Sequence, residues 1–189
     1  MIVTLIITII IFMGAISLTF KFFKGAEEVG AEIERSTKEQ ISGLLRSGNQ
    51  LVAIPFNKAT LPRGKQTTFA IGVRNIGDTA PFSIKVEFDN AYDLSEKQLP
   101  GADKTHIEDK WVGGFAVTEN IRIEKNKFEI VPIPIKSQGS LNPTAPAPKG
   151  IYVFNICVYK KAAPDAPCQL GQPVEAFYDK RIHQVFIEV

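Results

Sequence analysis

The first twenty residues, Met1–Phe20, carry no charged side chain. As a helix rising 1.5 Å per residue they would span about 30 Å, the thickness of a bilayer's hydrocarbon core. Charges begin at Lys21 and Lys24 and recur from there to the end of the chain. A soluble core helix rarely runs this far without a charge, so lipid or other apolar helices are the expected surroundings. A cleaved secretory signal fits less well, because no basic residue precedes the apolar run and no small-x-small cleavage site follows it. Two settings stay open. A short basic leader removed before Met1 would place the rest of the chain outside the cell, whereas Lys21 and Lys24 behind an initiator Met1 would favour the cytoplasmic side.

Apolar residues continue past Phe20 with helical spacing. Phe22, Ala26, Val29, Ile33, Thr37, Ile41 and Leu44 recur three and four apart, and the charged residues fall on the opposite face. Thr4, Thr8, Ala15 and Thr19 lie in line with this stripe, and small residues four apart let helices approach closely. The pattern predicts one helix over residues 1–48, hydrophobic over 1–20 and amphipathic over 21–48, with a stop at Gly48 and Asn49. Such a rod, about 70 Å long to Arg46, presents one packing seam. A single β domain covers residues 26–45 at most, so the first half needs lipid or copies of itself.

From Leu51 the period changes to two. Phe69, Ile71 and Val73 alternate with small or polar neighbours, as do Phe82, Ile84, Val86 and Phe88, with a turn at Asn75–Asp78 between them. Further strands are predicted at Leu51–Phe56, Trp111–Thr118, Ile121–Glu124, Lys127–Ile135, Ile151–Tyr159 and Ile182–Val189. No convincing helix interrupts them, and Ser137–Gly150 reads as a proline-rich loop. The expected fold class is mainly β with one long N-terminal α-helix: an immunoglobulin-like β-sandwich over residues 49–189, carried on that helix.

Cys157 and Cys168 are the only cysteines. An oxidising exterior would join them in a disulfide stabilising the domain by about 3 kcal/mol; two separate thiols are the alternative. No cofactor, metal or catalytic motif is found. There is no GxG, no Walker loop and no GxSxG elbow, and neither His106 nor His183 belongs to a ligand pair. The acidic stretch Asp93–Lys110 fits no EF-hand and reads as a solvated loop, with Trp111 after it as a core anchor. A net charge of +2 without a basic cluster argues against nucleic acid as a partner. No N-glycosylation sequon occurs.

This layout resembles the archaeal type IV pilin-like proteins: a charge-free Met1–Phe20, a stripe from Phe22 to Leu44 and a β region from Leu51. Leu5 stands where many bacterial pilins carry a glutamate, an acid that archaeal pilins often lack. Thr68–Val73, Asn75–Gly77 and Phe82–Val86 also resemble adhesion-type immunoglobulin-like modules of prokaryotic surface proteins. The resemblance implies a non-enzymatic subunit of an extracellular filament, like a pilus or an archaellum. It would be inserted in the membrane before assembly, pack with copies of itself, and expose its β heads to a surface layer or other cells for adhesion or contact. The alternative is a single-pass membrane-anchored surface protein with an immunoglobulin-like binding domain, such as an archaellum accessory or stator-like component.

Overall fold

The computed structural model describes residues 35–47, 50–137 and 139–189. One helix, α1 (Arg35–Ser47), precedes strands β1 (Val52–Ala53), β2 (Lys58–Thr60), β3 (Gln66–Arg74) and β4 (Ala80–Tyr92). A short helix α2 (Lys104–Ile107) runs into a π turn (Glu108–Val112) and a 3-10 turn (Gly113–Phe115). Strands β5 (Val117–Ile123), β6 (Phe128–Lys136), β7 (Ile151–Tyr159) and β8 (His183–Glu188) complete the domain.

The strands form two sheets, a three-stranded one ordered β1-β3-β6 and a five-stranded one ordered β2-β8-β7-β4-β5. All pairings are antiparallel except β2 with β8. The two-residue period places Phe69, Ile71 and Val73 of β3 and Phe82, Ile84, Val86 and Phe88 of β4 in one buried cluster. Tyr152, Phe154, Ile156 and Val158 of β7 join them from the middle of the larger sheet. Strand β6 lies at an edge and carries Pro132 and Pro134. Proline offers no N–H to a neighbouring strand, so this edge is blunted against further pairing.

The fold differs from the expected immunoglobulin-like sandwich, because the sheets curl as a half-barrel. The thirteen-residue β4 slips register between Phe82 and Ile84 against β5, and between Phe88 and Asn90 against β7. Bulges bend a strand and raise its twist, so two of them in one long strand curl the sheet around the core.

The expected long N-terminal helix is corrected too. The longest described helix is α1, at thirteen residues, and no helix among the described residues is long and apolar enough to cross a membrane. Among the described residues the expected transmembrane helix is therefore not found, and nothing in this β-rich structure marks a pilin. Residues 1–34, with seam residues Thr4, Thr8, Ala15, Thr19, Phe22, Ala26, Val29 and Ile33, lie outside the described residues. What fixes α1 is docking, since packing of one face supplies most helical stability in proteins. Ile41 and Leu45, four apart, are fully buried against the outer face of the small sheet beside Ala53 and Ala70. Thr37 is half-buried and Leu44 exposed. The docked face thus keeps Ile41 of the predicted stripe but runs through Leu45 in place of Leu44.

Gly72 on β3 sets that geometry. A Cβ there would overlap Ile41 Cγ2 and Leu45 Cδ1, so the helix sits directly on a glycine backbone. Arg74 Nη1 donates to the Leu45 carbonyl at 2.8 Å, satisfying an acceptor in the last turn, and the Arg46 guanidinium lies 5.5 Å from the Phe128 ring centroid.

Two segments, one expected as a loop and one as a strand, differ from expectation. The stretch Asp93–Lys110 is not wholly a solvated loop: Asp103 caps α2 by accepting from the His106 N–H at 3.0 Å, and Ile107 is fully buried. Trp111–Thr118 is strand only from Val117. Trp111 stands on the π turn with its ring 4.5 Å from that of Tyr152 and its Nε1 donating to the Ser140 carbonyl at 3.3 Å. It is the expected core anchor, held by a helical turn that Gly113 ends with a positive φ of 59°.

We expect Gly72→Ala to push α1 off the sheet and destabilise the domain by about 1–3 kcal/mol, as overpacking does. Hydrogen exchange would show faster exchange of the 35–47 amides while β4 and β7 stay protected.

Candidate functional site: a charged network under a disulfide-held strap

Residues 160–182 leave β7 and return to β8 across the outer face of the five-stranded sheet. Cys157, on that face of β7, is joined to Cys168 in the strap by a disulfide with a Cα–Cα distance of 5.6 Å. Around it Tyr159 and Phe177 meet edge to face at 5.6 Å, and with the two cysteines they form a buried cluster separate from the main core. Tyr159 Oη donates to the Ala166 carbonyl at 2.9 Å, and burial, with Glu87 and Asp165 nearby, pushes that phenol up to about 12. Tyr178 anchors the far end: its N–H donates to the Val158 carbonyl and its hydroxyl to the Arg74 carbonyl, while its ring lies 4.9 Å from Phe82.

Beneath the strap the sheet is polar. Glu87 on β4 is 5% exposed, and its carboxylate is surrounded by donors. Oε1 accepts from Lys85 Nζ at 2.6 Å and from the Cys168 N–H at 3.1 Å. Oε2 accepts from Lys104 Nζ at 2.6 Å and from Gln169 Nε2 at 3.3 Å. Asn155, opposite Glu87 on β7, donates to the Cys168 carbonyl at 3.2 Å and to Asp89 at 3.3 Å, and accepts from Gln184 at 3.0 Å. The strap is therefore fastened twice, by a covalent bond and by hydrogen bonds at both backbone groups of Cys168, whose N–H donates to Glu87 and whose carbonyl accepts from Asn155.

Burial alone would raise the Glu87 pKa, but the bonds from Lys104, Lys85 and the Cys168 N–H outweigh it and hold the group at about 2. Glu108, on the π turn, goes the other way. Burial raises its pKa despite its Oε1 accepting from the Phe88 N–H at 2.9 Å. Here the carboxylate takes the place of a neighbouring strand, because β5 pairs with β4 only as far as Lys85. Lys104 lies between the two acids, 3.8 Å from Glu108 Oε1. Beside it a groove of about 410 Å³ is lined by Phe88, Asp89, Asn90, Gln98–Ala102 and Lys104.

The chemistry of this arrangement is anchoring. A carboxylate has about four acceptor positions, and those of Glu87 take four donors. The charge is spent on fixing the strap and keeps no lone pair for a substrate proton. The histidines are placed elsewhere: His106 Nε2 lies 2.8 Å from Ser140 Oγ, and His183 Nε2 lies 2.7 Å from Asp179 Oδ2. Sequence reading singled out the two cysteines but missed Glu87, Lys104, Asn155 and Glu108. A glutamate between Val86 and Phe88, in a strand read as half-exposed, carries no signal of burial until the strap is seen to cover it.

No family model matches the chain, and no curated protein matches it. Among solved structures it is similar to a family 123 glycoside hydrolase from Clostridium perfringens, at 14% identity and a TM-score of 0.39, over 70% of this chain and 23% of that one. It is also similar to a β-glucosidase from Listeria innocua, at 10% identity and a TM-score of 0.36, over 72% of this chain and 15% of that one. The chain thus spans less than a quarter of either protein's length. Likenesses at this level carry nothing about activity.

Glu87 has a folded-state pKa below its ordinary value of 4.5. Its contribution to stability is full above pH 4.5 and is lost as pH falls through about 2. Glu108 is shifted upward, so its contribution has the opposite sign and favours the fold at lower pH. Glu87→Gln is expected to lower the urea midpoint at pH 7 and to flatten the acid limb of midpoint against pH. Replacing both cysteines with alanine should cost about 2–3 kcal/mol in the same measurement.

Proposed function

We propose that this chain is a non-catalytic structural subunit of an extracellular, type IV pilus-like filament. Its β domain is the exposed head, and Met1–Phe20 is the part through which copies pack together. The carrying observation is that charge-free run of twenty residues. Burying large apolar side chains against copies of the chain contributes about 1.5–3 kcal/mol each, ample to drive assembly. The Cys157–Cys168 disulfide supports an extracellular setting, because such bonds form and persist in oxidising compartments. The blunted β6 edge supports ordered packing, since an open edge invites indiscriminate strand pairing. In this reading the membrane holds the chain before assembly, and the heads meet a surface layer or other cells.

The test is to shear surface material from cells, without detergent, and sediment it. Filaments containing this chain and showing helical order by electron microscopy are expected, and they should persist in mild detergent. Recovery of the chain only as a small detergent-soluble particle would overturn the filament and favour a membrane-anchored surface protein instead.

A further inference from the structure

The basic residues of the chain form no run in the sequence, yet the fold gathers four of them at one end of the domain. Lys136 closes β6 opposite Gln66 at the start of β3. The loop between β2 and β3 is laced to the next residue: Gly64 N–H donates to the Ser137 carbonyl at 2.6 Å, and Ser137 N–H to the Lys65 carbonyl at 2.8 Å. Arg63, in the same loop, lies near Tyr152. Burial raises that phenol to about 12, and the Arg63 guanidinium acts against the rise. The Tyr152 hydroxyl donates to the Pro148 carbonyl at 2.9 Å, which brings Lys149 to the same end. Arg63, Lys65, Lys136 and Lys149 are all exposed, and none makes an ion pair among the described residues.

Residues 61–77 and 130–164 contain no acid. The acids that reach this end from other segments are engaged. Glu188 lies 3.4 Å from Lys58 Nζ, and a Val189 main-chain oxygen accepts from the Gly150 N–H at 3.2 Å. The Asp93 carboxylate accepts from the Ser95 and Lys97 N–H groups at 2.8 and 2.9 Å. Asp93 opens a hairpin that its own N–H closes on the Lys97 carbonyl at 2.8 Å. Gly150, next to Lys149, packs so closely on the base of this hairpin that a Cβ there would strike the Tyr92 carbonyl oxygen. The hairpin carries Glu96 and Lys97, whose charges offset each other, and Leu94, 65% exposed.

We propose that this end of the domain docks on an anionic lipid surface, with the four bases on headgroup phosphates and Leu94 in the interface. The proposal rests on the reading that a membrane holds the chain before assembly, and it says what the head does at that stage. Each Lys or Arg beside such a surface changes partition by about fivefold. Four of them on one face orient a head that the chain already keeps near the membrane. Leu94 supplies the apolar contact that an interface takes up and a dissolved polyanion does not. A nucleic acid fits less well, because residues 61–66 and 139–150 hold no aromatic side chain on which a base could stack.

The experiment is flotation and hydrogen exchange of the full chain with phosphatidylcholine vesicles, with and without phosphatidylglycerol. Phosphatidylglycerol is expected to slow exchange across residues 61–66, 93–97 and 140–150 and to leave β5 unchanged. The slowing should vanish in about 1 M NaCl, where the Debye length falls to about 3 Å. Lys65→Gln combined with Lys136→Gln should weaken docking by about twenty-five-fold, at about fivefold per base. Both side chains are exposed, so the core is untouched. Arg122→Gln, an exposed base paired with Pro81 at the far end of β4, should leave docking unchanged. Equal exchange on the two vesicles overturns the proposal, as does slowing that survives salt or the double substitution. Equal slowing by duplex DNA, with the chain in detergent micelles, overturns the assignment to lipid. Flotation separates this proposal from the reading beneath it. A chain that floats only with phosphatidylglycerol, and not in salt, supports the basic face and counts against the membrane-held stage; a chain that floats with neither overturns both.

Discussion

Strand β7 is buried along its whole length except at Ile151, and that constraint organises the rest of the domain. Its inner face, with Tyr152, Phe154, Ile156 and Val158, makes the centre of the core. Its outer face, with Val153, Asn155, Cys157 and Tyr159, is buried as well and needs a cover. An antiparallel sheet usually leaves one face to water. Here the strap over residues 160–182 supplies the cover, as α1 does on the outer face of the smaller sheet. Each sheet therefore lies between the shared core and a cover of its own.

The two covers are held by different physics. The interface of α1 is apolar, with two branched side chains against a glycine. The strap lies over a mixed surface, partly aromatic around Tyr159 and Phe177 and partly charged at Glu87. Burying a charge is unfavourable unless it is fully paired and hydrogen-bonded. Glu87 meets that condition only when the strap is in place, because two of its four donors, the Cys168 N–H and Gln169, belong to the strap. The network thus specifies the position of the strap more than it stabilises it: a misplaced strap leaves a buried anion short of donors. The disulfide restricts the search for that position by tethering Cys168 eleven residues from Cys157.

Much of the β architecture was legible in the sequence. The alternation in β3 and β4, the doubly apolar β7 and the anchor role of Trp111 all follow from period and residue type. The curl of the sheets was not, because a bulge is a matter of register, and a strand written Phe82-Ser-Ile-Lys-Val-Glu-Phe88 reads the same with or without it. The π turn at Glu108–Val112 was missed for a related reason: Trp111 and Val112 followed by two glycines look like the start of a strand, and only Ile107 being buried on the preceding helix sets the phase. In α1 the helical period was right and Ile41 of the predicted stripe is buried, but Leu45 rather than Leu44 completes the docked face. A seam drawn through Leu44 maximises the count of apolar residues, whereas the sheet selects Ile41 and Leu45, which straddle Gly72. The polar sites were the least legible. Asn155 and Glu87 become partners through pairing of strands whose numbers differ by 68, and nothing local encodes that.

Helix α1 is docked on the domain through a small contact. Two fully buried side chains, Ile41 and Leu45, stabilise α1 on the sheet by about 3–6 kcal/mol at the usual 1.5–3 kcal/mol per large side chain. The Arg74 bond to the Leu45 carbonyl adds about 1 kcal/mol. That contact rests on two side chains and one hydrogen bond, whereas the pairing of β4 with β7 is reinforced by the core on one face and the strap on the other. In such a molecule α1 opens as a unit of its own at lower free energy than the β domain.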